Sequence, residues 1–175
     1  SDRVAALREG DQVGLCAFDS RLRVQLPPVS GPRAFLAVRH AASAVSCSER
    51  EANHVLGLSM ISAKLGQRAA LLIFTEFTDM AAAELMLTAV APLLHKHLLL
   101  FVMLKDAELE AIAARAPVEI DDIGRAAAAG ALLDERRLVI ARLRRMGAEV
   151  VEAPAGEAGS IAIERYLALK QRGRI

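Results

Sequence analysis

Aromatic residues are scarce in this sequence. Of 175 residues, five are phenylalanine, one is tyrosine and none is tryptophan, so few rings are available to stack on bases or sugars. Charge of one sign is also missing, because 22 lysine and arginine residues face 21 aspartate and glutamate residues, a formal net charge of +1. Nucleic acids and anionic lipids attract strongly basic surfaces, so the composition predicts neither partner.

Cysteine and long apolar runs are scarce as well. Cys16 and Cys47 are too few for a disulfide framework or a cysteine-based zinc site, and this usage fits a reducing, cytoplasmic setting. The longest continuous apolar run, residues 98–104, is far shorter than the ~18 residues that a membrane span needs. We therefore expect no membrane contact in this segment, and the first residues show no signal-peptide pattern.

Apolar residues are abundant, at 54% of the chain, which predicts one folded domain over residues 1–175 rather than a disordered segment. Residues 1–9 have the pattern of the last turns of a helix, with Gly10 as the terminating glycine. A domain rarely opens on the end of a helix. We therefore expect the natural domain to begin upstream of Ser1.

Apolar patterns predict five strands and six helices. The strands are predicted at residues 13–18, 22–26, 69–74, 98–104 and 149–151, and the helices at 31–45, 48–65, 81–96, 107–114, 121–146 and 156–171. Ser48 with Glu51 fits a capping box, Asp121 or Asp122 is expected to cap the long helix, and Gly147 is expected to end it.

The order of these elements predicts an α/β fold. Strands that alternate with helices form a mostly parallel sheet with helices on both faces. The second strand alternates apolar and polar residues and ends at Pro27-Pro28, which favours an antiparallel hairpin at the edge of the sheet.

Polar residues follow three of the predicted strands, where open α/β sheets bind their ligands. These residues are Asp19, the cluster Thr75–Asp79, and Lys105 with Asp106. Hydroxyl and carboxylate oxygens without histidine or cysteine suit a hard cation such as Mg²⁺. The alternative is that Thr78 and Asp79 only cap the following helix.

Other clusters have simpler interpretations. His95 and His97 lie at a helix–strand junction, where histidines commonly bond the last helical carbonyls. Five arginines of the long helix (Arg136, Arg137, Arg142, Arg144 and Arg145) predict a solvated helix face rather than a nucleic-acid patch. The sequence contains no dinucleotide-binding glycine motif, no phosphate loop and no nucleophile elbow, so we expect no enzyme activity.

Four segments together resemble a known family. They are residues 10–28, from Gly10-Asp-Gln-Val to Leu26-Pro-Pro28, then Thr75-Glu-Phe-Thr-Asp79, residues 97–106, and residues 163–174, which begin Ile163-Glu-Arg-Tyr. Their order and spacing are similar to the bacterial "domain of unknown function 58" family, a von Willebrand factor A-like group. The likeness covers essentially the whole chain and is most specific in its first and last segments.

The resemblance implies a Rossmann-like sheet with a metal-ion-dependent adhesion site built from three loops. The family's principal loop, Asp-x-Ser-x-Ser, follows its first, central strand, and neither that strand nor that loop is found in this sequence. The third-loop position, usually Thr-Asp in the family, falls on Thr75-Glu76. The middle threonine has no clear counterpart, although Ser46, Ser48 and Glu51 lie in the right region.

The resemblance also suggests the sites and the function. We expect Thr75, Glu76 and Asp79 to form part of a site for Mg²⁺ or another hard divalent cation, and Asp19, Lys105 and Asp106 to contact a protein partner. The implied role is a non-enzymatic adaptor or assembly factor acting with a MoxR-type AAA+ ATPase. Members often carry transmembrane helices upstream of this domain, so the full-length protein is expected in the cytoplasm, free or membrane-anchored.

Two alternatives remain open at the level of sequence. A hydrolase or nucleotide-binding enzyme would need its catalytic loop in an upstream segment, and a metal-free scaffold would use Glu76 only as a helix-cap residue. In the von Willebrand-like arrangement, the absent strand belongs between the strands at Val13 and Ala69. Its absence predicts unpaired backbone groups on both of those strands.

Overall fold

The structure, a computed structural model, describes residues 11–31, 33–46, 52–76, 80–116 and 120–173. The chain divides into two compact units, an N-terminal unit (residues 1–66) and a C-terminal unit (residues 67–175). Ser1–Gly10, where the end of a helix was predicted, lies outside the described residues.

In its described residues, the N-terminal unit contains an antiparallel hairpin and two helices. Strand β1 (Val13–Phe18) pairs with β2 (Leu22–Val29), and helices α1 (Ala34–Ser43) and α2 (His54–Lys64) follow. Strand β2 continues through Pro27-Pro28, where the sequence predicted its end. The register between the strands shifts beside this stretch, and a bulge at an edge accommodates proline without breaking a ladder.

Helix α2 begins later than predicted. Its N-cap is Asn53, whose Oδ1 accepts a hydrogen bond from the backbone N–H of Leu56 at 2.9 Å. The predicted capping residues Ser48 and Glu51 lie outside the described residues. A Cβ at Gly57 would lie 2.4 Å from the ring of Phe18, so any other residue at this position would require the ring to move.

The C-terminal unit is a three-stranded parallel sheet with four helices. Its strands are β3 (Ala70–Thr75), β4 (Leu98–Leu104) and β5 (Glu149–Ala153), in the order β3-β4-β5. The helices are α3 (Met80–Leu94), α4 (Ala107–Ala114), α5 (Ile120–Met146) and α6 (Ala158–Gln171). Strand β4 is central and buried on both faces, as its continuous apolar run predicts.

Different helices cover the two faces of the parallel sheet. Leu100 and Val102 of β4 pack in one cluster with Ala158 and Ala162 of α6. Alternate residues of β4 point to the opposite face, where α3 contacts β4 and also packs against α5. The coarse α/β prediction, a parallel sheet flanked by helices, is thus confirmed, while the hairpin forms a separate two-stranded sheet.

Helix ends in this unit follow local chemistry. Gly147 has φ of +101°, the left-handed conformation predicted for the residue after α5. Pro92 lies inside α3, which ends two residues later at Leu94, before the predicted end at residue 96. Asp121 and Asp122 lie within the first turn of α5 instead of capping it, where they still oppose the positive end of the helix dipole.

His97 joins α3 to the sheet. It is 6% exposed, and its Nδ1 accepts a hydrogen bond of 3.3 Å from the backbone N–H of Ala69, just before β3. This acceptance requires an unprotonated Nδ1. Burial, with the nearby charge of Lys96, lowers the pKa of His97, and burial also lowers the pKa of His54 in the N-terminal unit.

The protein should lose stability in mild acid. A folded-state pKa below the ordinary value near 6.5 means that the unfolded chain binds protons first, so the free energy of unfolding falls as pH drops through that interval and levels off below the folded pKa. His97→Asn offers Oδ1 to Ala69 without titrating. Urea unfolding at pH 7.5 and pH 5.0 should therefore show a smaller loss for this variant than for the natural chain.

His95→Asn is the matched control, because His95 is exposed two residues away. It should keep the full loss of stability between pH 7.5 and pH 5.0. An unchanged loss in His97→Asn would contradict the role assigned to the bond between His97 and Ala69.

Candidate functional site

The parallel register brings two of the predicted polar clusters to neighbouring strand ends. Thr75 at the end of β3 lies opposite Met103 of β4, so Glu76 follows beside Leu104 and next to Lys105-Asp106. Neighbouring strands lie about 4.8 Å apart. The predicted cluster at Thr75-Glu76 and the predicted partner-binding residues Lys105 and Asp106 thus share the carboxyl edge of the sheet.

Thr75 and Glu76 differ in how accessible their side chains are to a cation. Thr75 is 7% exposed, and its Oγ1 donates a hydrogen bond of 3.4 Å to the carbonyl oxygen of Glu76. Glu76 is exposed, so its carboxylate is accessible to a cation from solvent. Asp79, the third predicted ligand, lies outside the described residues.

Asp106 already has a structural role. Its Oδ1 accepts a hydrogen bond of 2.9 Å from the backbone N–H of Leu109, which makes it the N-cap of α4. Lys105 is exposed, and its backbone N–H donates to the carbonyl of Ala153 in β5 at 2.9 Å. Of this pair, the side chain of Lys105 is therefore the one presented to solvent.

Asp19 belongs to the N-terminal unit and is enclosed by its own turn. It is 5% exposed, and its Oδ2 accepts a hydrogen bond of 2.6 Å from Nε of Arg23. The backbone N–H of Arg21 donates to Oδ1 at 3.0 Å, and the carbonyl oxygen of Asp19 accepts from the N–H of Asn53 at 2.9 Å. These contacts tie the hairpin turn to the start of α2 and explain the burial of a carboxylate.

The described residues give a partial fit to a hard-cation site. Within these ranges, no three histidine, cysteine, aspartate or glutamate side chains converge in a way that could hold a metal ion. Glu76 and the backbone around Thr75 can supply oxygen ligands. A complete site at this edge would need further oxygens beside them.

The outer edge of β3 is the strand edge at which the sequence predicted unpaired backbone groups. The carbonyl of Ala69 accepts from Leu98 of β4, and its N–H points to His97 on the same side. Because successive residues of a strand point their backbone groups to opposite sides, Ala70, Leu72 and Phe74 direct theirs away from β4. In the described ranges, no strand pairs with this edge.

Strand β5 has a contrasting outer edge. The same alternation directs the carbonyl of Val150 outward, and Nη2 of Arg144 donates to it at 3.2 Å. Arg144 also lies 4.0 Å from Glu152, so this edge carries charge of both signs. Charged side chains and occupied carbonyls discourage the pairing of another strand.

Strand β3 has none of this protection. Its sequence, Ala-Leu-Leu-Ile-Phe-Thr, contains no charge and no proline. Leu72 packs against the cluster beneath α6, but α6 contacts β4 and β5, and Phe74 is left 52% exposed. The edge therefore combines unpaired backbone groups with an apolar, partly uncovered flank.

The prediction that the arginines of α5 form a solvated face is wrong at one position. Arg136 is only 8% exposed, whereas the side chains of Arg137 and Arg142 are 75% and 51% exposed. The signal was present in the sequence. Arg136 lies three and four residues before the buried Val139 and Ile140, which places it on the apolar face of the helix.

Removing the carboxylate of Asp19 should destabilise the N-terminal unit. Asp19→Ala leaves the guanidinium of Arg23 and a backbone N–H without their shared acceptor, and we expect a loss of about 3 kcal/mol in urea unfolding followed by circular dichroism. Asp134→Ala is the matched control. It breaks the 2.6 Å pair with Arg137, whose two side chains are 70% and 75% exposed, and should cost about 0.5 kcal/mol or less. Equal effects of the two substitutions would contradict a structural role for Asp19.

A scan against protein-family models finds no matching family, and searches of curated proteins and of solved structures find no significant match.

Proposed function

We propose that the chain is a non-enzymatic protein-interaction module built on a von Willebrand factor A-like, Rossmann-like sheet. It acts as an adaptor or assembly factor with a MoxR-type AAA+ ATPase. The four sequence segments that resemble the "domain of unknown function 58" family support this role. The absence of a phosphate loop and a nucleophile elbow from the 175 residues favours an interaction module over an enzyme.

The open edge of β3 is the observation that carries the proposal. A von Willebrand-like sheet has its first, central strand beside the strand that corresponds to β3. Ala70, Leu72 and Phe74 direct their backbone groups to that side, and the charge and proline that protect natural edges are absent from β3. A further strand at this edge would pair these groups and cover Phe74.

A strand at this edge also favours a cation site. In a parallel sheet, the loop after the added strand emerges at the carboxyl edge, beside Thr75-Glu76. Glu76 and the oxygens around Thr75 are suitable ligands for Mg²⁺, with Asp79 as the third predicted ligand. A bound cation would supply positive charge for a carboxylate of the protein partner, while Lys105 would present a second positive group at the same edge.

The proposed location is the cytoplasm. Among the described helices, none combines the length and the apolar character that crossing a bilayer demands. The resemblance implies that helices upstream of this domain anchor the full-length protein to the membrane. The near-neutral net charge of +1 favours a protein partner over a nucleic acid.

Association with the ATPase tests the proposal directly. The full-length protein should retain a MoxR-type ATPase in a pull-down, and Mg²⁺ should strengthen the association. Glu76→Ala should reduce the binding in Mg²⁺ to the level seen with a chelator, because the variant loses its exposed carboxylate ligand.

Glu108→Ala is the control, since Glu108 is an exposed acid of α4 that is assigned no role in the site. It should bind like the natural protein. Absence of association both with and without Mg²⁺ would overturn the proposed function, and equal losses in the two variants would overturn the assignment of Glu76.

A further inference from the structure

Arg136 is a buried cation that has no counter-ion among the described residues. It lies in the middle of α5 and is 8% exposed. Its Nε and Nη2 atoms are shielded from solvent, and within the part of the chain that the structure describes neither has a hydrogen-bond partner. A guanidinium carries five N–H donors and stays charged at any physiological pH, so it cannot relieve this burial by losing a proton.

The ion pairs of α5 among the described residues involve its other arginines. Asp134 pairs with Arg137, Glu84 pairs with Arg142, and Glu152 lies near Arg144. Glu135, beside Arg136, is exposed. Among the described residues, no ion pair or hydrogen bond involves the guanidinium of Arg136.

The guanidinium has one accessible end. Nη1 also makes no hydrogen bond within the described chain, but it is not fully buried. It is therefore the nitrogen of the guanidinium that contacts solvent. The buried Val139 and Ile140 lie on the same face of α5, where low polarity strengthens any electrostatic contact. An oxyanion that arrives at Nη1 can accept a charge-assisted hydrogen bond there and place its negative charge against the buried guanidinium.

We infer that Arg136 is a binding site for a small oxyanion of the phosphate or carboxylate class. Water could fill the hydrogen bonds of the guanidinium but would leave its charge uncompensated, whereas an oxyanion supplies both acceptors and opposite charge. The site is independent of the open β3 edge and of Glu76.

Phosphate titration of the 175-residue chain tests the inference. Inorganic phosphate should raise the melting temperature above that in sodium chloride of equal ionic strength and should shift the Nε–Hε signal of Arg136 in a ¹⁵N-correlated NMR spectrum. Acetate in a parallel titration distinguishes the two ligand sources. A response to phosphate alone indicates a phosphoryl ligand, and a response to both anions indicates a general oxyanion site that also accepts carboxylates.

Two variants separate binding at Arg136 from a general salt effect. Arg136→Met keeps an unbranched side chain on the apolar face and should weaken the apparent affinity for phosphate about tenfold or more. Arg137→Met removes the exposed neighbouring arginine and should respond to phosphate like the natural chain.

The inference is overturned if phosphate stabilises Arg136→Met as much as the natural chain, or if neither anion moves the Nε–Hε signal. The NMR measurement uses the unsubstituted protein, so it decides the question even if Arg136→Met does not fold.

Discussion

Strand β4 requires hydrogen-bonded neighbours on both sides, and the C-terminal unit is organised around this requirement. Residues 98–103 are at most 7% exposed, so water cannot satisfy their backbone groups. Strands β3 and β5 supply the hydrogen bonds, while α3 and α6 cover the two faces. The outer edges of β3 and β5 differ. Arg144 occupies a carbonyl of β5, whereas no strand of the described ranges pairs with the outer groups of β3.

That asymmetry links the fold to the proposed function. An edge that carries charged side chains discourages the pairing of another strand, whereas an uncharged edge flanked by a half-exposed phenylalanine is suited to accept one. Parallel pairing at this edge would bring a new loop to Thr75 and Glu76. The proposed cation site and the proposed completion of the sheet would then depend on the same strand, so partner binding and strand addition would be coupled.

The sequence predicted those features whose physical cause is local. The apolar run of β4 and the short helix α4 matched the structure residue for residue, and Gly147 ended α5 because only glycine adopts its φ without strain. Features that depend on tertiary contacts were not accessible from local patterns. The start of α2 depends on Asn53 and on its tie to Asp19, and β2 keeps its pairing through two prolines because of a register shift. The burial of Arg136 depends on how α5 meets its neighbours, although helical spacing from Val139 and Ile140 indicated it.

Hydrogen exchange along β3 tests the open edge most directly. In the 175-residue chain, the amides of Ala70, Leu72 and Phe74 should exchange quickly, while those of Leu71, Ile73 and Thr75, which face β4, should exchange slowly. In a longer protein that contains the proposed additional strand, the first three amides should become as slow as the others, because that strand would pair with them. Fast exchange at Ala70, Leu72 and Phe74 in both proteins, or uniform protection along β3 in the 175-residue chain, would contradict the proposal that this edge accepts a strand.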